Sequence, residues 1–173
     1  MEREHRILAA LGAPGATDVP VPRTYGLCTD AAVLGTPFYL MQFLDGRIFA
    51  DPSMPELSGP AERTALWREA ARTLGRLHRV RPGDVGLGDF GRARGFYSRQ
   101  VRTWTAICRE QAKVVDVETG EAVGQLPFFE ELVAFFGDEG GQPAERAVLV
   151  HGDYKIDNLV FHPSEARVIG ILE

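Results

Sequence analysis

The stretch Thr36–Leu44 (TPFYLMQFL) is a nearly continuous apolar run, bounded by Gly35 on one side and Asp45-Gly46 on the other. A short apolar run between turn residues reads as a buried strand closed by a turn. The longest uncharged stretch around it, Ala31–Leu44, has 14 residues and contains Gly and Pro. A membrane-spanning helix needs roughly 17 or more, so no span is expected. Thr24–Thr29 reads as a second short strand, expected to pair antiparallel with Thr36–Leu44. Ahead of both, Glu4–Leu11 sets Ile7, Leu8 and Leu11 at helical spacing. The Gly- and Pro-rich segment Gly12–Pro22 ends that helix. Helix and strand pair together make a small α+β unit.

Further along, Pro60 suits the first turn of a helix running to about Val80. Leu66, Ala70, Leu74 and Leu77 then share one face. Arg68, Arg72, Arg76 and Arg79 lie beside it and read as a solvated row whose stems cover apolar surface. Gly83–Gly95 reads as a glycine-rich loop. Tyr97–Lys113 suits a second amphipathic helix with Val101, Trp104 and Cys108 inward, and Trp67 and Trp104 are both expected in the core. Val114–Gln125 reads as irregular, and Pro127–Phe136 as a helix with Phe128, Leu132 and Phe135 at suitable spacing. Ala147–Val150 reads as a short strand. Leu159–Phe161 and Val168–Leu172, joined through His162-Pro163, read as a hairpin.

Composition narrows the classes. The chain has 173 residues, 45% hydrophobic and 25% charged, with a formal charge of −5. That suits one soluble domain or a piece of a larger one and argues against a general nucleic-acid binder. Its two cysteines, Cys28 and Cys108, make no disulfide framework and read as free thiols. His5, His78 and His162 lack metal-ligand spacing. The charged start carries no apolar signal core, so cytoplasm is the default reading, with organelle import left open by any sequence upstream. The lysines are two, Lys113 and Lys155, so any lysine-dependent chemistry has only those candidates.

The stretch that carries chemistry is His151-Gly152-Asp153-Tyr154-Lys155-Ile156-Asp157-Asn158. It is a polar loop between short apolar segments, and functional groups gather on such scaffold-held loops. Phosphoryl transfer needs a carboxylate to take or orient the proton of the attacking hydroxyl. It also needs oxygen ligands for the magnesium that bridges the phosphates. Asp153, followed five residues later by Asn158, has the spacing of a kinase catalytic loop. Lys155 sits where it would bring positive charge to the transferring group. Asp157 reads as a solvated or turn-bonding residue. Read alone, His151-Gly152-Asp153 is also compatible with an ordinary polar turn. A second metal ligand belongs at the end of the returning strand, where Glu173 stands.

HGDYKIDN followed by LVFHP and VIGIL resembles the aminoglycoside phosphotransferase and choline-kinase-like family. REHRILAAL, VPVPRTYGLC, GTPFYLMQFLDGRIF and RQVRTW extend the likeness over nearly the whole chain. They resemble most the kinase-like domain joined to acyl-CoA dehydrogenase modules. The resemblance implies an α+β, protein-kinase-like two-lobe fold. Residues 1–46 would be the remnant of the small lobe and 47–173 part of the large lobe, the chain being an internal piece truncated at both ends. It implies ATP and Mg2+ as cofactors and a small-molecule hydroxyl as acceptor. Asp153 would be the catalytic base, with His151 bracing the loop and Lys155 beside it. Asn158 and Glu173 would hold metal, Glu173 standing where the family usually has Asp. Glu4 matches the acidic residue that pairs with the ATP-contacting lysine. Met41, Gln42, Phe43 and Leu44 match the connector whose main chain meets adenine. The lysine-bearing strand and the glycine-rich turn of the family would precede residue 1. Without them the rival expectation is a non-catalytic kinase-like module that binds a ligand or partner.

Overall fold

A computed structural model describes residues 1–138, 140–142 and 144–172. The chain divides into two compact units, Met1–Phe90 with Val148–Glu173, and Gly91–Ala147.

The first unit opens with α1 (Glu2–Leu11), stopped at Gly12. β1 (Thr24–Cys28) and β2 (Phe38–Met41) pair antiparallel as expected, from Thr24 opposite Met41 to Cys28 opposite Phe38, with a bulge near Thr24. Between them lies a one-turn helix, α2 (Ala31–Leu34), which the sequence pattern did not disclose. Asp30 caps it by accepting from the Ala32 N–H at 2.8 Å, and Gly35 closes it at φ 82°. β2 is shorter than the apolar run around it, and it is not buried. Leu40 and Met41 are exposed, as are Tyr25 and Leu27 on β1. No other strand flanks this ribbon among the described residues, so both its edges stay open.

α3 (Pro60–Arg79) begins at proline as read, because proline's missing N–H costs nothing in a first turn. It buries Leu66, Ala70 and Leu77. β3 (Leu159–Phe161) and β4 (Val168–Ile171) form the expected hairpin, Leu159 facing Ile171 and Phe161 facing Val168. All three residues of β3 are buried. The core of this unit joins Leu11, Phe49, Met54, Leu66, Leu159 and Phe161, with Phe49 edge-on to Phe161 at 5.5 Å. The chain leaving β2 is stapled to the hairpin by reciprocal main-chain bonds between Arg47 and Phe161, both 2.8 Å. Gly46 is required beside that staple, since a Cβ there would overlap the Phe161 carbonyl oxygen. Ala147–Val150 forms no strand. Leu149 is buried and Val150 exposed, and the apolar run has no ladder partner.

The second unit holds α4 (Phe96–Gln111) and α5 (Phe129–Gly137), packed on each other. Val115 bridges Ala122 within the segment read as irregular. Here the expected inward face of α4 is only partly covered, with Val101 and Cys108 half-buried. Trp104 is 59% exposed, Phe128 74% and Phe135 69%, while Phe129 is the buried residue of α5. α4 buries no residue outright. Trp67, on α3, is likewise exposed. Helical spacing identifies an apolar stripe, but burial requires a second element lying on it.

Candidate active site

The polar loop is held at both ends and across its middle. At its start, Gly152 takes φ 91°, a left-handed turn suited to glycine. His151 Nε2 lies 2.7 Å from the Leu172 carbonyl, and the Asp153 N–H donates to Nδ1 at 3.3 Å. A carbonyl only accepts, so Nε2 carries the hydrogen and Nδ1 the lone pair. These two bonds together select the neutral Nε2–H tautomer. At the loop's end, a 3₁₀ turn over Ile156–Asn158 folds Asn158 back toward Asp153. Asn158 Nδ2 donates to the Asp153 carbonyl at 2.8 Å and to Asp153 Oδ2 at 3.2 Å. The Leu172 N–H in turn donates to the Asn158 carbonyl at 2.8 Å. Asn158 is buried, at 9% exposure.

The charges follow from this frame. Lys155 Nζ sits 3.3 Å from Asp153 Oδ2 and 3.4 Å from Asp157 Oδ2. The Asp153 carboxylate, and then that of Asp157, hold the Lys155 ammonium above the usual lysine range. Asp157 is thus a partner of Lys155, a role its place in the sequence did not reveal. Tyr154 points the other way. Its hydroxyl donates to the Ala70 carbonyl of α3 at 2.7 Å, and its ring stands edge-on to His151 at 5.7 Å. Burial, with the nearby Glu69 carboxylate second, pushes the Tyr154 hydroxyl up to about 12. The sequence assigns no role to Tyr154. The one available signal was an aromatic residue with a polar tip inside a run of charges.

Glu4, Met41, His151 and Leu172 meet around an otherwise apolar cavity of 420 Å³, which Ile7 and Leu77 also line. Glu4 Oε1 contacts the α-amino group at 3.1 Å. Glu4 Oε2 is buried and has no hydrogen-bond partner among the described residues. Gln42, Phe43 and Leu44 are not part of that lining. The Gln42 N–H donates to the Arg23 carbonyl at 2.7 Å, closing the β1–β2 ribbon. The Phe43 side chain is 87% exposed. The main-chain N–H and C=O groups of Phe43 and Leu44 make no hydrogen bond among the described residues. Glu173 lies outside the described residues. No cluster of three or more His, Cys, Asp or Glu side chains suits a metal among the described residues. Any metal here would therefore depend on the Asn158 amide as well as on carboxylates.

These oxygens can be sorted by what they are free to do. Asn158 spends its amide nitrogen on Asp153, and its Oδ1 accepts nothing among the described residues. Asp153 has Oδ2 engaged and Oδ1 unengaged in the same sense. The donor set is hard oxygen, the kind that suits magnesium.

This architecture recurs in known proteins. The phosphotransferase enzyme family (APH) matches residues 1–172, and the chain belongs to that family. "Probable acyl-CoA dehydrogenase IBR3" of Arabidopsis thaliana is 42% identical over 178 aligned residues, covering 100% of this chain and 20% of that protein. "Acyl-CoA dehydrogenase family member 11" of Gallus gallus is 38% identical, again over 100% of this chain and 20% of that protein. The chain thus spans about a fifth of the length of these relatives. A crystal structure from Ralstonia eutropha JMP134, assigned to the aminoglycoside phosphotransferases, superposes with a TM-score of 0.79 at 38% identity. It covers 99% of this chain and 48% of that one. The aminoglycoside-3'-phosphotransferase of type VIII, at 21% identity and a TM-score of 0.56 over 99% of this chain and 56% of its own, supports the fold alone. The fold is kinase-like α+β. No helix among the described residues is long and apolar enough to cross a membrane.

Proposed function

We propose that this chain carries the catalytic loop of an ATP- and Mg2+-dependent phosphotransferase whose acceptor is a hydroxyl on a small molecule. In the longer protein it would be joined to an acyl-CoA dehydrogenase module, as the names and lengths of its relatives suggest. The observation that carries the reading is the interlock of Asp153 and Asn158. One buried amide holds the carboxylate by its Oδ2 and its own main chain, and so leaves Asp153 Oδ1 and Asn158 Oδ1 for other work.

ATP with magnesium supplies the phosphoryl group and neutralises the charge of its transfer. Asp153 Oδ1 takes the proton of the acceptor hydroxyl, while Asn158 and Lys155 keep Oδ2 from rotating into its place. Asn158 Oδ1 and Glu173 would hold the metal. His151 ties the loop that carries the base to Leu172, just past β4. The unpaired main chain of Phe43 and Leu44 offers donors and acceptors to a purine edge. The buried, unpartnered Glu4 Oε2 is a seat for a cation. On this reading residues 1–46 act as small lobe and connector, and 47–173 as part of the large lobe.

The test is Asp153→Asn in the intact protein, with ATP binding followed by calorimetry and ADP release by a coupled assay. Binding should be retained while turnover falls by about two to four orders of magnitude, the usual loss with a general acid–base group. Undiminished turnover would remove the catalytic assignment and leave a ligand-binding kinase-like module in its place.

A further inference from the structure

The loop that carries Asp153 is fastened through its neighbour in a way the transfer chemistry does not itself require. Asp153 stands between His151 and Tyr154, and these two touch each other, ring edge to ring face, at 5.7 Å and 79°. His151 is fastened to the end of β4 through Leu172. Tyr154 is fastened to α3 through the Ala70 carbonyl. That stretch of α3 is itself firm. Leu66, Ala70 and Leu77 are buried, and the buried Glu69 carboxylate takes Arg76 Nη2 at 2.7 Å. The peptide bearing Asp153 is therefore suspended between a strand end and a helix, by two aromatic side chains braced on each other.

We propose that Tyr154 is a positioning residue for the Asp153 carboxylate, its hydroxyl acting as the pin that fixes the loop to α3. This rests on the phosphotransferase reading above only for its effect on rate. The fixing of the loop stands apart from it. Asn158 holds the Asp153 carbonyl from within the loop and Lys155 pairs with its carboxylate, and neither of these contacts fastens the loop to α3. A hydroxyl bond to a helix carbonyl does so. The directionality of that bond also requires an O–H, so the isosteric ring without it should leave packing in place and lose the pin.

The experiment compares Tyr154→Phe with the parent in the intact protein by two independent readouts. Amide hydrogen exchange over Asp153–Asn158 should quicken by about fivefold to tenfold, the range for losing one net hydrogen bond, with exchange in β3 unchanged. Where ATP turnover is measurable, kcat should fall by about tenfold to a hundredfold with KM for ATP held within about threefold, as for a misplaced catalytic group. A purely stabilising role would instead lower the melting temperature and leave kcat per folded molecule alone. Unchanged loop exchange in Tyr154→Phe overturns the proposal, whatever the turnover. A parent that binds ATP and never turns it over overturns the phosphotransferase reading, and the exchange result still decides the role of Tyr154.

Discussion

Tyr154 illustrates how one side chain can report on the state of a loop. Its hydroxyl is raised from an ordinary 10.0 to about 12, chiefly by burial and next by Glu69. A group whose folded value lies above its unfolded value contributes fully below the unfolded value and loses that contribution as pH rises through the folded one. The window is therefore from 10.0 to about 12. Melting temperatures taken across it should fall more steeply for the parent than for Tyr154→Phe, which has no phenol to ionise. Parallel curves would mean that the hydroxyl is not buried as described. At this scale the sequence showed which chemical groups were present but not how they were joined. The spacing of Asp153 and Asn158 could be read directly. The amide of Asn158 curling back on Asp153 could not, because it depends on a 3₁₀ turn of three residues. Asp157 looked idle because its partner, Lys155, reaches it through a side-chain geometry that no periodicity records.

Among the elements, the β3–β4 hairpin and the segment leaving β2 are joined by one residue above all. Arg47 donates from Nε to the His162 carbonyl at 3.1 Å, from Nη1 to Glu62 at 2.8 Å and from Nη2 to the Glu165 carbonyl at 3.2 Å. Its guanidinium also lies 5.6 Å from the Phe49 ring. Arg47→Ala should cost about 1–3 kcal/mol in a urea melt, since one of these bonds is charge-assisted on both sides and the side chain is half-buried. A loss under about 0.5 kcal/mol, the level of an exposed ion pair, would make the contacts incidental. The elements themselves were unevenly legible. α3 was plain because Pro60 starts it and its apolar residues recur on one side. Ala147–Val150 misled because an apolar run of four has no strand character until another strand bonds to it. Trp67 and Trp104 misled for a related reason, since a large side chain at helical spacing is the same whether or not something lies against it.

For the molecule as a whole, the open apolar surface is the controlling fact. Trp104, Phe128 and Phe135 in one unit, and Tyr25, Leu40 and Met41 in the other, stand substantially in solvent. Exposed apolar patches and unpaired strand edges favour association. The isolated 173-residue chain should bind a hydrophobic dye and sediment as a concentration-dependent mixture. A single monomeric boundary with no dye binding would contradict this. The kinase-like class was legible at this scale through motifs spread along the chain. The division into units was not, because it depends on which distant segments pack together. The staple between Arg47 and Phe161 has one more bearing, on mechanics. The Gln42 bond to Arg23 clamps one side of the connector and the staple clamps the other. Residues 43–46 separate the two clamps, a span of about 14 Å at full stretch. With the Ile171 N–H also donating to the Pro20 carbonyl at 3.0 Å, the hairpin is moored to the ribbon on both of the ribbon's flanks. A separation longer than that span would have to break one of its clamps.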